Sequence, residues 1–340
     1  MIPLRFQGTE AFKSPEQEYH KMKDAFRKLL SFKESGVVIG LVLIMIFFSF
    51  STKTFFTGIN LLNIFRQTAL LGILSTAIAL LMISGEFDLS IGSTFALVPI
   101  LSAVLVENKI MSMGPAFIVS LVTGALLGLI NGLIVTKFRI VSFIVTLGTM
   151  KIYRGLVLVI SDGRPKPLII RSFTTDLMGD AMLFGFIPIP IIWLILILLI
   201  GWTLLHKTTH GYKVYAVGSN LEAAKLSGIN TDRTKIINFL FSGLCAGLAG
   251  IVALCYLGTS APTQGADYGL DAIAACVVGG INLFGGSGSI LSVFLGSFIL
   301  TVIRNGLVIQ GVNAYIQDAA MGLIIIIAVI INVKFIRGKR

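Results

Sequence analysis

Charge is what this chain is short of. Only 13% of its 340 residues are Asp, Glu, Lys or Arg, about half the share of an ordinary soluble domain, and its apolar content excludes a disordered protein, which cannot bury enough surface to fold. Histidine and cysteine are sparse too, at three each. Cys245, Cys255 and Cys276 lie inside apolar runs without metal-like spacing or a nearby His, so they read as buried thiols. His206 and His210 stand four apart with no third ligand close by, too few for a metal centre. Phosphate-handling signatures are also missing. No G-x-x-x-x-G-K-[ST] occurs, and Gly285-Gly286-Ser287-Gly288-Ser289 lacks the lysine that reaches a phosphate. Neither an H-E-x-x-H pair, nor a nucleophile elbow, nor a carboxylate pair in a polar domain is found. No catalytic residue, metal or cofactor is therefore expected on this chain.

What the chain has in excess is apolar surface. The apolar set makes up 55% of the residues, with 36 Gly and 24 Phe, and the mean hydropathy is +0.93. That is too much for one core in water, and the bilayer is the alternative solvent. At about 20 residues per helical span, ten apolar runs can be laid out: 37–51, 68–84, 89–106, 116–135, 141–160, 183–205, 236–258, 269–283, 290–310 and 317–333. The expected fold is all-α and polytopic, with about ten transmembrane helices, some short or broken. Residues 35–333 form one membrane domain between a charged extension, 1–34, and a basic tail, 334–340.

The net charge of +11 does not point to nucleic acid, because the basic residues sit at the ends of apolar runs and not in a polar domain. With the N-terminus inside, the segments 1–34, 136–140, 206–235 and 334–340 carry eighteen Lys/Arg, and the outside segments carry six. This positive-inside bias places both termini in the cytoplasm, which requires an even number of spans. No cleavable leader is read in the first 34 residues. Ser14, Pro15 and Gln17 instead read as a helix start, with Met22, Phe26, Leu29 and Leu30 on one face. The expectation is an amphipathic helix lying on the membrane, with a solvated basic tail as the alternative.

The long inside loop, 206–235, specifies a short helix of about eight residues. Ser219 is placed to cap it, with Glu222 completing a capping box. Ala223 and Ala224 favour helix, Gly228 supplies a left-handed end, and Asn230 or Thr231 offers a fresh cap for the next span. A helix this short is not stable alone, so it must pack on a partner or on its own membrane domain.

Polar groups inside the spans mark the other candidates. Arg154, Arg304 and Asn305 fall toward the outer ends, where they either snorkel or pair between helices, or meet a docked receptor or solute at the outer mouth. Asn63, Gln67, Ser142, Phe143, Thr146 and Thr149 are candidates to line a path. Asp88, with Glu86, sits in a Gly-bracketed break, either facing the path or capping a half-helix. Aligning Ser75–Ser93 with Asp271–Ser289 puts Gly92-Ser93 over Gly288-Ser289, which either reflects a duplicated half with broken helices or is chance. Gly124 and Gly128 form a small-xxx-small pair for close packing, and Ser120, Thr123 and Asn131 either line the path or serve as interhelical polar glue.

Glu222-Ala223-Ala224 followed by Gly228 resembles the EAA loop of ABC-importer permeases. Ser84-Gly85-Glu86-Phe87-Asp88-Leu89-Ser90-Ile91-Gly92 is similar to the GG-I-D-L-S-V-G segment of permeases of the ribose, xylose and autoinducer-2 type. Gly211–Gly218, Leu226–Asn230, Asp271–Ala275, Val278-Gly279-Gly280 and Phe284-Gly285-Gly286 also resemble that family. Ser84 in place of a glycine, the added Glu86 and the charged N-terminal extension depart from it. The resemblance implies a bacterial inner-membrane permease subunit that imports a monosaccharide. Its helix at Ser219, Glu222, Ala223, Ala224 and Gly228 would be gripped by a separate ATPase subunit that binds ATP-Mg. A periplasmic or lipid-anchored binding protein would deliver the sugar, and a second permease copy, identical or paralogous, would complete the pathway. A nucleoside or autoinducer-2 permease is the alternative within the superfamily, and an ion-coupled secondary transporter or a membrane-bound enzyme lies outside it.

Overall fold

A computed structural model describes the backbone of residues 35–337 and the side chains of 35–334. The amphipathic helix expected within 1–34 falls outside the described residues, as do residues 338–340 of the basic tail. The ten expected runs all form helices: α1 (Ser35–Ser51), α2 (Gly58–Ile83), α3 (Ile91–Glu107), α4 (Met113–Phe138), α5 (Ser142–Ser161), α6 (Ile189–His206), α9 (Thr231–Leu257), α10 (Tyr268–Val278), α11 (Ile290–Ile309) and α12 (Ala314–Arg337). Seven are long and apolar enough to cross a membrane, while α1, α3 and α10 are shorter. Between α6 and α9 lie two helices where one was expected, α7 (Thr209–Ser219) and α8 (Leu221–Leu226).

The long helices are apolar on every face, as helices in lipid or at a core's centre must be. The centre belongs to α2, buried without interruption from Thr68 to Ile83. Beside it α9 presses against α4 through glycine. A Cβ on Gly128 would lie 2.1 Å from the Phe239 carbonyl oxygen, and one on Gly243 would lie 2.1 Å from that of Gly124, so only hydrogen fits and the backbones touch. The small-residue pair expected at Gly124 and Gly128 thus does pack closely. Pro99 lies inside α3 and cannot donate to the Phe95 carbonyl. Gly250 of α9 fits against that oxygen, where a Cβ would come within 2.2 Å.

The loops close on one another at the two ends of the bundle. At one end, β1 (Lys166–Pro167) pairs antiparallel with β4 (Thr259–Ser260), and Lys166 forms an ion pair with Glu107 at 2.8 Å. This joins three segments that span alternation assigns to the same face. A second small hairpin joins β2 (Met182–Leu183) to β3 (Ile187–Pro188), immediately before α6. At the other end Arg139 meets Asp232 at 2.8 Å, joining segment 136–140 to loop 206–235.

Candidate functional site

Two interruptions in the helices, 84–90 and 279–289, meet the loop 206–235 at one junction. After α2, Gly85 turns the chain at φ +83°, and the next residues stay buried, with Glu86, Asp88 and Ser90 all under 8% exposed. The expected span 89–106 therefore begins within the bundle. Ser93 at its start reaches the Met150 carbonyl in mid-α5 at 2.9 Å. After α10, Gly280 turns at φ +96°, and α11 starts at a Ser289 cap that accepts from Ser292 N–H. The Gly286 N–H donates to the Ile83 carbonyl at 2.9 Å, so the two interruptions share a backbone hydrogen bond. The helix–break–helix likeness suggested by aligning 75–93 with 271–289 is present in both stretches.

The loop is clamped onto this junction by α7. A Cβ on Gly218 would fall 1.7 Å from the Ile83 carbonyl oxygen and 2.7 Å from Gly286 N, so any larger residue would push the three segments apart. Tyr215 donates to the Gly288 carbonyl at 2.8 Å, and burial raises the pKa of its phenol, keeping the donor protonated. From α9, Asn238 donates to the Leu80 carbonyl at 3.2 Å and to Ser84 Oγ at 3.0 Å, while its carbonyl oxygen lies 2.9 Å from His210 Nε2. Lys235 pairs with Glu86, both largely buried, so the added acidic residue holds the first interruption to the foot of α9.

The short helix α8 differs from expectation at its start. Ser219 is still helical, as the last residue of α7, and cannot cap α8. The chain leaves the helix one residue later, where Asn220 is extended (φ −157°, ψ 104°) and accepts from Ala223 N–H at 3.0 Å. Asn is as good an N-cap as Ser, but with the cap shifted Glu222 no longer occupies the capping-box position. It lies instead in the first turn, where its charge suits the helix dipole. The helix is six residues long, not eight. Its end is as expected: Gly228 adopts φ +78°, and Ile229 N–H reaches the Ala224 carbonyl at 3.0 Å, closing a Schellman turn. Asn230 caps α9 through Arg233 N–H at 2.9 Å. Of the helix only Ala224 is buried, and Leu226 is 91% exposed.

The path candidates do not converge. Ser142, Thr146 and Thr149 are buried on the inner face of α5. Ser142 Oγ accepts from Phe87 N–H at 3.0 Å, Thr146 donates to the Ser142 carbonyl at 2.8 Å, and Phe143 points the other way, 49% exposed. Asp88 is enclosed. One oxygen accepts from the Ser90 amide and hydroxyl at 2.9 and 2.6 Å, and the other from Ser242 at 2.8 Å. Asn131 extends this network to Ser90 at 2.8 Å and accepts from Tyr153 at 3.2 Å, which makes it interhelical glue. Asp88 holds the backbone of the interruption where α3 begins, accepting from the Ser90 amide just ahead of that helix.

Gln67, by contrast, shares a cavity of about 110 Å³ with Asp271, Arg304, Thr301 and Tyr268. Arg304 Nη1 lies 3.2 Å from Asp271 Oδ2, so it pairs between helices instead of snorkelling. Asn305 turns away to Asn60 at 3.0 Å. Asn63, half-buried on α2, is not among the residues lining that cavity. Arg154 binds the carbonyls of Pro262 and Gln264, tying α5 to the segment before α10. Asn238, Lys235, Tyr215 and Asn220 were not singled out in the sequence. Asn238 carried a signal as a polar residue within an apolar run, and Tyr215 lay inside the 211–218 stretch that resembles the family.

Residues 60–329 match the family described as branched-chain amino acid transport system / permease component. Among curated proteins, the chain is 38% identical to the Ribose import permease protein RbsC of Bacillus subtilis, over 88% of this chain and 92% of that one. It is 36% identical to the protein of that name in Escherichia coli K12, over 91% and 96%. To the D-allose transport system permease protein AlsC of the same strain it is 36% identical, over 86% and 88%. No solved structure matches the chain.

Proposed function

From the premise that this chain belongs to the branched-chain amino acid transport system permease-component family, we propose that it is the membrane-spanning subunit of an ABC importer for a monosaccharide, ribose first among them. Relatives named for ribose and allose import, alike over nearly their whole length, support the substrate class. The observation that carries the mechanism is the junction. The exposed helix α8 is continuous through Asn220 with α7, and α7 is locked at Gly218 and Tyr215 onto both helix interruptions. A partner that grips Leu221 and Leu226 would displace the breaks directly. Moving helix pairs that meet at such breaks is a means by which a packed bundle can pass from one arrangement to another.

In this reading ATP binds and is hydrolysed on a separate ATPase subunit that seats on α8, and a periplasmic or lipid-anchored binding protein delivers the sugar at the end bearing β1 and β4. A second permease copy packs against the apolar faces that α5, α6 and α12 leave exposed. Both termini and loop 206–235 lie in the cytoplasm, following the excess of Lys and Arg on that side. The chain itself only carries solute. The test is ribose uptake into proteoliposomes holding the permease, its ATPase and its receptor. Uptake should require internal ATP and survive collapse of the ion gradients, whereas uptake driven by an ion gradient without ATP would refute the assignment.

A further inference from the structure

A second cavity, about 280 Å³, lies between α7 and the first two turns of α9. Its walls carry Lys213, Arg233 and His210 together with Thr234, and no carboxylate. The described ion pairs engage Arg139, Lys166, Arg171, Lys235 and Arg304. Neither the Lys213 ammonium nor the Arg233 guanidinium is in one. Asp232, next in sequence, is already held by Arg139. Two unpaired cations facing one concavity repel each other, and an anion between them removes that cost.

Ile237 is the apolar residue of the lining, and it opens onto an apolar flank of α9 beyond the cavity. Arg233, Ile237, Leu240 and Leu244 follow one another at helical spacing down α9, and Ile237 and Leu240 are 40% and 37% exposed. A cationic mouth continuing into an exposed apolar flank of a membrane span fits an amphiphile and exceeds what a soluble anion or a protein carboxylate requires. Basic pockets of this kind between spans bind acidic lipid headgroups. We propose that the cavity is a phospholipid site, with the headgroup phosphate between Lys213 and Arg233, Thr234 as a further donor, and an acyl chain along Ile237 and Leu240. A lipid seated there braces α7 against α9 next to the junction.

The test is native mass spectrometry of the full-length purified chain, titrated with phosphatidylglycerol or phosphatidylcholine. One phosphatidylglycerol should be retained in preference to phosphatidylcholine. The double variant K213Q/R233Q should lower that retention roughly tenfold, leaving phosphatidylcholine binding unchanged. K109Q/R164Q, which removes the same charge from the other end of the bundle, should have no effect. Unchanged retention in K213Q/R233Q, an equal fall for both lipids, an equal fall in the control, or displacement by inorganic phosphate at matched concentration would each overturn the assignment.

Discussion

Asp88 shows how a residue conspicuous in sequence can serve the fold more than the ligand. Its carboxylate accepts three hydrogen bonds within the bundle, so Asp88→Ala would orphan three donors at about 1–3 kcal/mol for each that finds no substitute. The expected result is a clear drop in melting temperature in detergent, with Asp88→Asn milder because it keeps one acceptor oxygen; equal melting of the two variants would contradict this role. Asn238 links α9 to both α2 and α7, and Asn238→Ala should lower ATP-driven uptake several-fold while the protein still inserts. For Arg304 and Asp271, either single alanine leaves its partner unpaired in a largely buried site, and the double variant should be more stable than the sum of the two losses predicts. A double-mutant cycle on thermal stability measures this, and strict additivity would show that the pair is not coupled. Asp88, Arg304 and Gln67 stand out as polar residues in apolar surroundings, Asp88 also by its place in a Gly-bracketed break. Their partners come from helices far away in sequence, which no local pattern encodes.

Among the elements, hydropathy made the ten apolar helices legible, because lipid-facing and core-facing surfaces are both apolar and the run is read whatever it packs against. It did not reveal α7. That helix contains Gly211, Val214, Val217 and Gly218, poor helix formers, and it is held by burying Val214 and Val217. Its unseen length is also why Ser219 was misplaced as a cap, since a residue still inside one helix cannot open another. The end of α8 was readable because a left-handed residue before a new span is a local demand. Asn220→Ala should cost about 1 kcal/mol and speed hydrogen exchange across 221–226 about fivefold. Gly228→Val forces a β-branched side chain into φ +78°, at roughly 1–2 kcal/mol or more. It should abolish uptake without preventing insertion, and normal uptake by that variant would remove α8 from the coupling role.

For the whole molecule, alternation of the spans was readable by parity, and the closures at Lys166–Glu107, β1–β4 and Arg139–Asp232 agree with it. Orientation in the cell is open to direct measurement. The native cysteines Cys245, Cys255 and Cys276 are buried, so single cysteines at Leu226 and Phe173, both largely exposed, should report alone. An impermeant maleimide should label Leu226→Cys only in opened cells and Phe173→Cys in intact ones; the reverse would invert the topology. The meeting of residues 83 and 286 lay beyond any sequence reading, because it is a contact between two breaks some two hundred positions apart.

That contact has a mechanical corollary. Two breaks joined by a backbone hydrogen bond and by the close seat of Gly218 favour moving together: a stroke arriving through Gly218 reaches both at once, so the α2–α3 and α10–α11 limbs would swing in concert, like scissor blades on a common rivet.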